Sequence, residues 1–355
     1  MNESKLKTAV LGLDDKGQLL LEAVADIDYF QIQAVADRDT ELAKRTAQKY
    51  ECKDYDDYRR LIIENQLDVL LVAAPLHCCA PNIQAAMKKK FNVLKLAPLA
   101  RTFEEAVEFV RLAEENDIKF AVANPNRFGG SLAALRQFLQ EGKLEQIFLI
   151  TASKLVPAKA GIDNERTDAW RADPKLAGGG VLLHNCYEII DQLIWNFATP
   201  QQVYSLNTNT AGDRQQRRYL TEDAVVVTMK FTDTIIGNLV ASRCIGVGQE
   251  QELLKVYGRN KILTASNTRF IISNHPGQAG EELEYNDDEL CCMRKLLENF
   301  ALSILLPDKN RLCSSGRENL NNMAVIESAY LSARTGMPEE PGRILKMAHV
   351  EPVNI

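Results

Sequence analysis

Apolar and polar positions along this chain follow two rhythms in succession. Lys7 to Leu13 is a short apolar run of strand type, and Gly17 to Ala25 follows with helical periodicity. Phe30 to Asp37 reads as a second strand and Thr40 to Tyr50 as a second helix. Val69 to Ala73 (strand), Pro81 to Lys90 (helix), Asn92 to Lys95 (strand), Thr102 to Asn116 (helix) and Lys119 to Ala123 (strand) continue the alternation. Strands separated by amphipathic helices imply a parallel, doubly wound sheet, so residues 1–124 are expected to form an α/β Rossmann-type domain.

After Asn124 the rhythm changes. A helix near Gly130 to Glu141 leads to a strand at Gln146 to Lys154, and a further helix is expected from about Gly180 to Trp195. Strand-like runs follow at Gln202 to Asn209, Asp223 to Phe231, Ile235 to Ser242, Gln251 to Tyr257, Lys261 to Thr264 and Arg269 to Ser273. Short polar connections between them favour a largely antiparallel sheet. Helical stretches at Asp287 to Leu305 and Gly316 to Thr335 close this half, and residues 276 to 288 and the tail after Pro338 read as loosely structured. Residues 125–355 are therefore expected to form an α+β domain with an open, mainly antiparallel sheet.

Composition narrows the class. At 355 residues, 46% hydrophobic and 25% charged, the chain is that of an ordinary globular protein with room for two cores. A formal charge of −6 argues against nucleic acid as a partner. The best basic cluster, Lys88 to Lys90, sits where a helix should end, and lysines there complement the helix dipole. No apolar stretch of about 18 residues occurs, so a membrane is not an expected partner. Eight cysteines without C-x-x-C spacing, two pairs of them adjacent in sequence, read as thiols in a reducing compartment, and a cytoplasmic location is expected.

Two stretches carry candidate chemistry. Dinucleotide folds use G-x-G-x-x-G between the first strand and helix; here the stretch is Gly12-Leu13-Asp14-Asp15-Lys16-Gly17, with aspartate at the middle glycine. A carboxylate about 4 Å from a phosphate, at an effective dielectric of about 20, repels it by about 4 kcal/mol, an effect that Lys16 would partly offset. Asp37, ending the second strand, is placed to accept ribose hydroxyls, and Arg38 beside it to meet a 2′-phosphate, so NAD or NADP is the expected cofactor. The second stretch is Gly178 to Asp191, a glycine run opening into an apolar helix. A continuous helix there would align His184, Glu188 and Asp191 at i, i+4 and i+7 on one face.

With these motifs the chain resembles the glucose-fructose oxidoreductase and inositol dehydrogenase (Gfo/Idh/MocA) family. The likeness rests on the opening strand and glycine turn, Val35-Ala-Asp-Arg-Asp39, Ala74-Pro75, Val93-Leu-Lys-Leu-Ala-Pro-Leu-Ala100, Asn126-Arg-Phe128, Trp170-Arg171, Gly178 to Asp191, and Tyr330-Leu-Ser-Ala-Arg-Thr-Gly336. The resemblance implies sugar or polyol substrates, cofactor contacts at Gly12, Asp14, Gly17, Asp37, Arg38, Ala74 and Pro75, and a homodimer or homotetramer built through the C-terminal sheet. It also exposes departures. Where the family carries a lysine that polarises the reacting hydroxyl, this chain has Ala97, followed by Pro98. The family's catalytic histidine is replaced by Glu188 and its sugar-binding aspartate by His184, while Asp191 is retained.

Three readings follow. In the first, Glu188 is the general base, His184 orients it or binds substrate, and Lys95, two residues before Ala97 on the same strand face, supplies the cation; Asp191, Trp170, Arg171 and Asn126 contact substrate. In the second, the fold keeps a nucleotide or sugar-like ligand without turnover, as a sensor or partner subunit. In the third, His184, Glu188 and Asp191 bind a metal, which is disfavoured because three residues on one helix splay apart. Lys154 and Arg127 are weaker candidates, and Arg127 would equally serve to cap a helix or pair with a carboxylate.

Overall fold

A computed structural model describes residues 5–157, 169–209, 221–245, 249–274 and 280–351. The chain divides into two compact units. The first comprises Met1–Ala100, Glu104–Pro125 and Asp288–Asn319, and the second Arg101–Phe103, Asn126–Asp287 and Leu320–Ile355.

The first unit is built on six parallel strands, β1 (Leu6–Leu11), β2 (Phe30–Ala36), β3 (Lys53–Tyr55), β4 (Val69–Val72), β5 (Asn92–Leu96) and β6 (Phe120–Ala123), in the order β3-β2-β1-β4-β5-β6. This is the doubly wound order, and its reversal between β1 and β4 defines the crevice at which such sheets receive ligands. β4 and β6 are wholly buried, which explains their unbroken apolar runs, and β1 is buried apart from Lys7. β3 is three residues of mostly polar edge strand, so it leaves no apolar signature. The helix expected from Pro81 instead begins at Leu76, because Leu76, Cys79, Ile83 and Met87 already form its buried stripe. Pro81 lies inside it at the cost of one helical hydrogen bond.

Two features fasten this unit. Lys89, from the basic run, donates its ammonium to the carbonyls of Ile62 (2.8 Å), Ile63 (3.1 Å) and Asn65 (2.9 Å), capping the helix Tyr58–Glu64. Asn124, fully buried after β6, donates to Ser314 Oγ (2.8 Å) and Asn319 Oδ1 (2.9 Å), while Ser314 Oγ donates to the Val122 carbonyl. The helix Glu289–Leu305, remote in sequence, packs on the first helix Asp15–Ala25.

The second unit holds an eight-stranded mixed sheet: β7 (Leu149–Pro157), β8 (Gln202–Thr208), β9 (Ala224–Lys230), β10 (Ile236–Ile245), β11 (Gln251–Tyr257), β12 (Ile262–Ala265), β13 (Arg269–Ser273) and β14 (Glu281–Glu284). The order is β14-β13-β12-β11-β7-β10-β9-β8, with β7 and β10 parallel and the other pairings antiparallel. Period-2 alternation sends Val203, Val225, Val227, Leu239, Ala241, Ile150, Ala152, Leu254 and Val256 to the buried face. Short helices and the helix Gly130–Gln140 pack on that face. Two segments read as loose are ordered: Glu281–Glu284 adds an acidic edge strand, and Pro341–Met347 is a helix opened by proline at its first turn. Residues 276 to 279 lie outside the described residues.

Replacing Asn124 with alanine removes its two buried donations, to Ser314 Oγ and Asn319 Oδ1, so denaturant unfolding should show a loss of about 1–3 kcal/mol; an unchanged midpoint would contradict this role for Asn124.

Candidate functional site

In the first unit, β1 runs into Gly12, whose φ of +87° only glycine adopts without strain, and a Cβ there would lie 2.5 Å from the Ala74 nitrogen. The turn thus presses the end of β1 against the end of β4. Ala74 is buried there, with its carbonyl accepting from Cys79 Sγ (3.2 Å), and Pro75 leads into the helix Leu76–Lys88. Asp37 stands beside the turn with both oxygens engaged: Oδ2 accepts from the Leu13 amide (2.8 Å) and Oδ1 from the Asp39 amide (2.9 Å). Arg38 is exposed.

Asp14 is the N-cap of the helix Asp15–Ala25, and its Oδ1 accepts from the Gly17 amide at 3.0 Å. Lys16 does not offset its charge; its ammonium is turned to Glu289.

Lys95 is engaged by the backbone around it. Its side chain is buried in β5 and its ammonium donates to the carbonyls of Leu96 (2.9 Å) and Pro98 (2.6 Å). Burial lowers its pKa, with Cys79 and Glu105 acting in the opposite direction. Its period-2 relation to Ala97 is as expected, but its length folds it back into the loop that Pro98 opens, where it ties the backbone down.

In the second unit, the stretch Gly178 to Asp191 is two helices and not one. Val181–His184 is a single turn, and Tyr187–Phe197 begins after a break. The break arises because the Val181 carbonyl accepts from both Asn185 (2.9 Å) and Cys186 (3.1 Å), closing the turn before the ladder can continue. His184, Glu188 and Asp191 therefore do not form one face, which also removes the geometric basis for a shared metal site. Among the described residues no cluster of three potential metal ligands occurs.

Each member of that trio has its own setting. His184 Nε2 donates to the Ala177 carbonyl at 2.9 Å, since a carbonyl oxygen can only accept. Trp170 packs edge-on against the same ring at 5.6 Å, and the Arg171 guanidinium lies 4.6 Å from the Trp170 ring centre. Glu188 is half-buried in the first turn of Tyr187–Phe197, where the helix dipole favours its charge. Asp191 is fully buried: Arg127 clamps it through Nε to Oδ2 (2.8 Å) and Nη2 to Oδ1 (2.7 Å), and Asn322 donates to Oδ1 (2.9 Å). These three donations fix the Asp191 carboxylate to Arg127 and Asn322 within the helix that also carries Glu188. Asn126 donates to Glu252 Oε1 (3.2 Å), and Glu252 pairs across strands β11 and β7 with Lys154 (2.6 Å).

A residue with no motif of its own holds the glycine run. Glu222, buried ahead of β9, accepts from the Gly180 amide (Oε2, 2.8 Å), the Leu182 amide (Oε1, 3.0 Å) and the Tyr330 hydroxyl (Oε1, 2.9 Å). A Cβ on Gly180 would overlap the Glu222 carbonyl oxygen, which accounts for glycine there. Nothing in the local pattern around Thr221-Glu222-Asp223 distinguishes Glu222 from a strand-leading surface acid; only the buried amides it serves reveal it.

The model of the "Oxidoreductase family, NAD-binding Rossmann fold" matches residues 6–124, and that of the "Oxidoreductase family, C-terminal alpha/beta domain" matches residues 136–340. The chain belongs to the Gfo/Idh/MocA oxidoreductase family. Among Gfo/Idh/MocA relatives, levoglucosan dehydrogenase of Pseudarthrobacter phenanthrenivorans is 23% identical over 251 residues, 65% of this chain and 61% of that protein. D-xylose 1-dehydrogenase (NADP(+)) 2 of Haloferax volcanii is 27% identical over 188 residues, 53% of each. The matched segments thus span less than two thirds of these relatives. An Agrobacterium radiobacter oxidoreductase solved with NAD+, L-tartaric acid and magnesium superposes with a TM-score of 0.83 at 17% identity, covering 96% of this chain and 100% of that one, and so shares the Gfo/Idh/MocA fold.

Burial raises the Glu222 pKa above its ordinary 4.5, outweighing the opposing donations from Leu182, Tyr330 and Gly180. The folded chain then binds this proton more tightly than the unfolded one. The stability this group contributes is complete below 4.5 and is lost as pH rises through the raised folded value. The unfolding free energy of wild type minus that of Glu222→Gln should fall over that window; a difference independent of pH would contradict the assignment.

Proposed function

We propose that this protein binds NAD or NADP through its first unit and a sugar- or polyol-type ligand through its second, as an oxidoreductase with an altered set of acid–base groups. The observation that carries the reading is Asp37, held by two loop amides beside the Gly12 turn, at the point of the doubly wound sheet where a dinucleotide ribose is received. Gly12, Gly17, Ala74 and Pro75 give a bound dinucleotide close backbone approach, Asp37 accepts its ribose hydroxyls, and Arg38 meets a 2′-phosphate. The bound cofactor would supply the hydride acceptor or donor.

In this reading Glu188 takes the proton of the reacting hydroxyl. His184, with its Nε2 held by the Ala177 carbonyl, either orients Glu188 or binds substrate through Nδ1. Trp170 and Arg171 supply an aromatic face and a cation, and Asn126 a hydroxyl-binding amide anchored on Glu252. A second reading, a non-catalytic sensor or partner subunit, is favoured by one feature: the only lysine near position 97 on its strand face, Lys95, spends its ammonium on two carbonyls. Titration with NADH and NADPH, followed by assay for reduction of NAD+ or NADP+ across a panel of polyols, separates the two. The enzyme reading expects turnover, lowered about 10²- to 10⁴-fold by Glu188→Gln. Binding without turnover supports the second reading; no binding at millimolar cofactor overturns the enzyme reading, and no binding of either cofactor or polyol overturns both.

We also propose that a second copy of the chain covers the outer face of the eight-stranded sheet. Strand register places Leu206, Val226, Val240, Ser153 and Leu253 in one row across β8, β9, β10, β7 and β11. Leu206 is 60%, Val226 45% and Val240 40% exposed, a contiguous apolar row of the kind that an isologous dimer buries. Leu206→Arg combined with Val240→Arg should convert a dimer or tetramer to a smaller species in sedimentation; a wild-type monomer, or an unchanged oligomer, would contradict the proposal.

A further inference from the structure

Taking the first unit as a dinucleotide-binding unit, we infer that Asp14 sets its affinity for the cofactor, because its carboxylate occupies the helix end to which the pyrophosphate would be drawn. A Rossmann fold receives the pyrophosphate at the N-terminus of its first helix, where unpaired amides and the helix dipole favour negative charge. In this chain that position is filled from within. Asp14 has an extended backbone (φ −62°, ψ −176°), and its Oδ1 accepts from the Gly17 amide at 3.0 Å, while its own carbonyl accepts from Gln18 at 2.8 Å. Asp15 adds a second exposed carboxylate in the first turn. The nearby compensating cation is directed elsewhere, since Lys16 pairs with Glu289. A further loop amide, that of Leu13, is already committed to Asp37 Oδ2 at 2.8 Å.

The residues therefore fit the two halves of a dinucleotide unequally. The Asp37 side is organised for a ribose, whereas the pyrophosphate position disagrees with an incoming anion of the same sign. Asp14 is exposed, so its side chain has room to leave the Gly17 amide. A pyrophosphate that binds must displace this cap and accept the neighbouring charge, whereas a ligand that lacks a pyrophosphate pays neither cost. Affinity for the whole cofactor is thereby held below what the rest of the cradle would give, and Asp14 becomes the residue that tunes it.

The test uses the full chain and three probes: NADH and ADP-ribose, which carry the pyrophosphate, and adenosine, which does not. Calorimetric or fluorescence titration is made on wild type, Asp14→Gly and Asp14→Asn. Glycine at an N-cap is tolerated, so the first variant should fold, and its thermal midpoint checks this. Asp14→Gly should tighten NADH and ADP-ribose about tenfold or more, and Asp14→Asn by less, because the cap acceptor remains while the charge is gone. Adenosine affinity should stay unchanged. Equal affinity of wild type and Asp14→Gly for ADP-ribose, or an equal gain for adenosine, would overturn the role of Asp14 while leaving the cofactor reading intact. If neither wild type nor the two variants bind any probe at millimolar concentration, the cofactor reading falls together with it.

Discussion

The second unit depends on one buried carboxylate. Glu222 gathers two backbone amides of the glycine run and the Tyr330 hydroxyl, joining three segments distant in sequence. Without that grip the Val181–His184 turn would present unsatisfied amides in a buried setting, at a cost comparable to a lost hydrogen bond for each. The turn in turn determines where His184 points and where the next helix starts. Arg127 and Asn322 complete the arrangement by holding that helix through Asp191. The groups nearest the candidate chemistry are thus placed by buried polar residues that hold the backbone and the helix carrying them.

The first unit is governed by a comparable constraint at Gly12, where a positive φ and close approach to Ala74 bring two strand ends together. This leaves the scaffold of a dinucleotide cradle intact around Asp37, although the side chain at position 14 works against the ligand's charge. Family membership accounts for the scaffold. The proposal of an altered acid–base set rests on Asp14, Ala97, His184 and Glu188, which are contributed by both units.

Much of the fold was legible because its signals are periodic. Unbroken apolar runs marked the buried parallel strands, alternation marked β9, β10 and β11, and the long helix Gly316–Thr335 carried its own bounds. What escaped lacked period. β3 is short and polar, β14 is a string of exposed acids, and Pro81 disguised the true start of its helix. At the candidate site, sequence spacing singled out Gly178 to Asp191 but read as one helix what the structure builds as two. The double acceptance at the Val181 carbonyl breaks the helix, and no residue type there announces it. Asp191 and Lys95 had the right chemistry for a ligand, yet tertiary partners, Arg127 for one and the Leu96 and Pro98 carbonyls for the other, had already claimed them. Glu222 was invisible because its importance lies wholly in what surrounds it.

The central claim is that the chain keeps a dinucleotide-binding unit while altering the groups around it. The most direct measurement is a crystal structure of the full chain soaked with ADP-ribose. The account predicts density for the adenosine ribose at Asp37, the pyrophosphate at the start of the helix Asp15–Ala25, and the Asp14 carboxylate moved off the Gly17 amide. ADP-ribose bound away from Asp37, or absent from the first unit at saturating concentration, would contradict it.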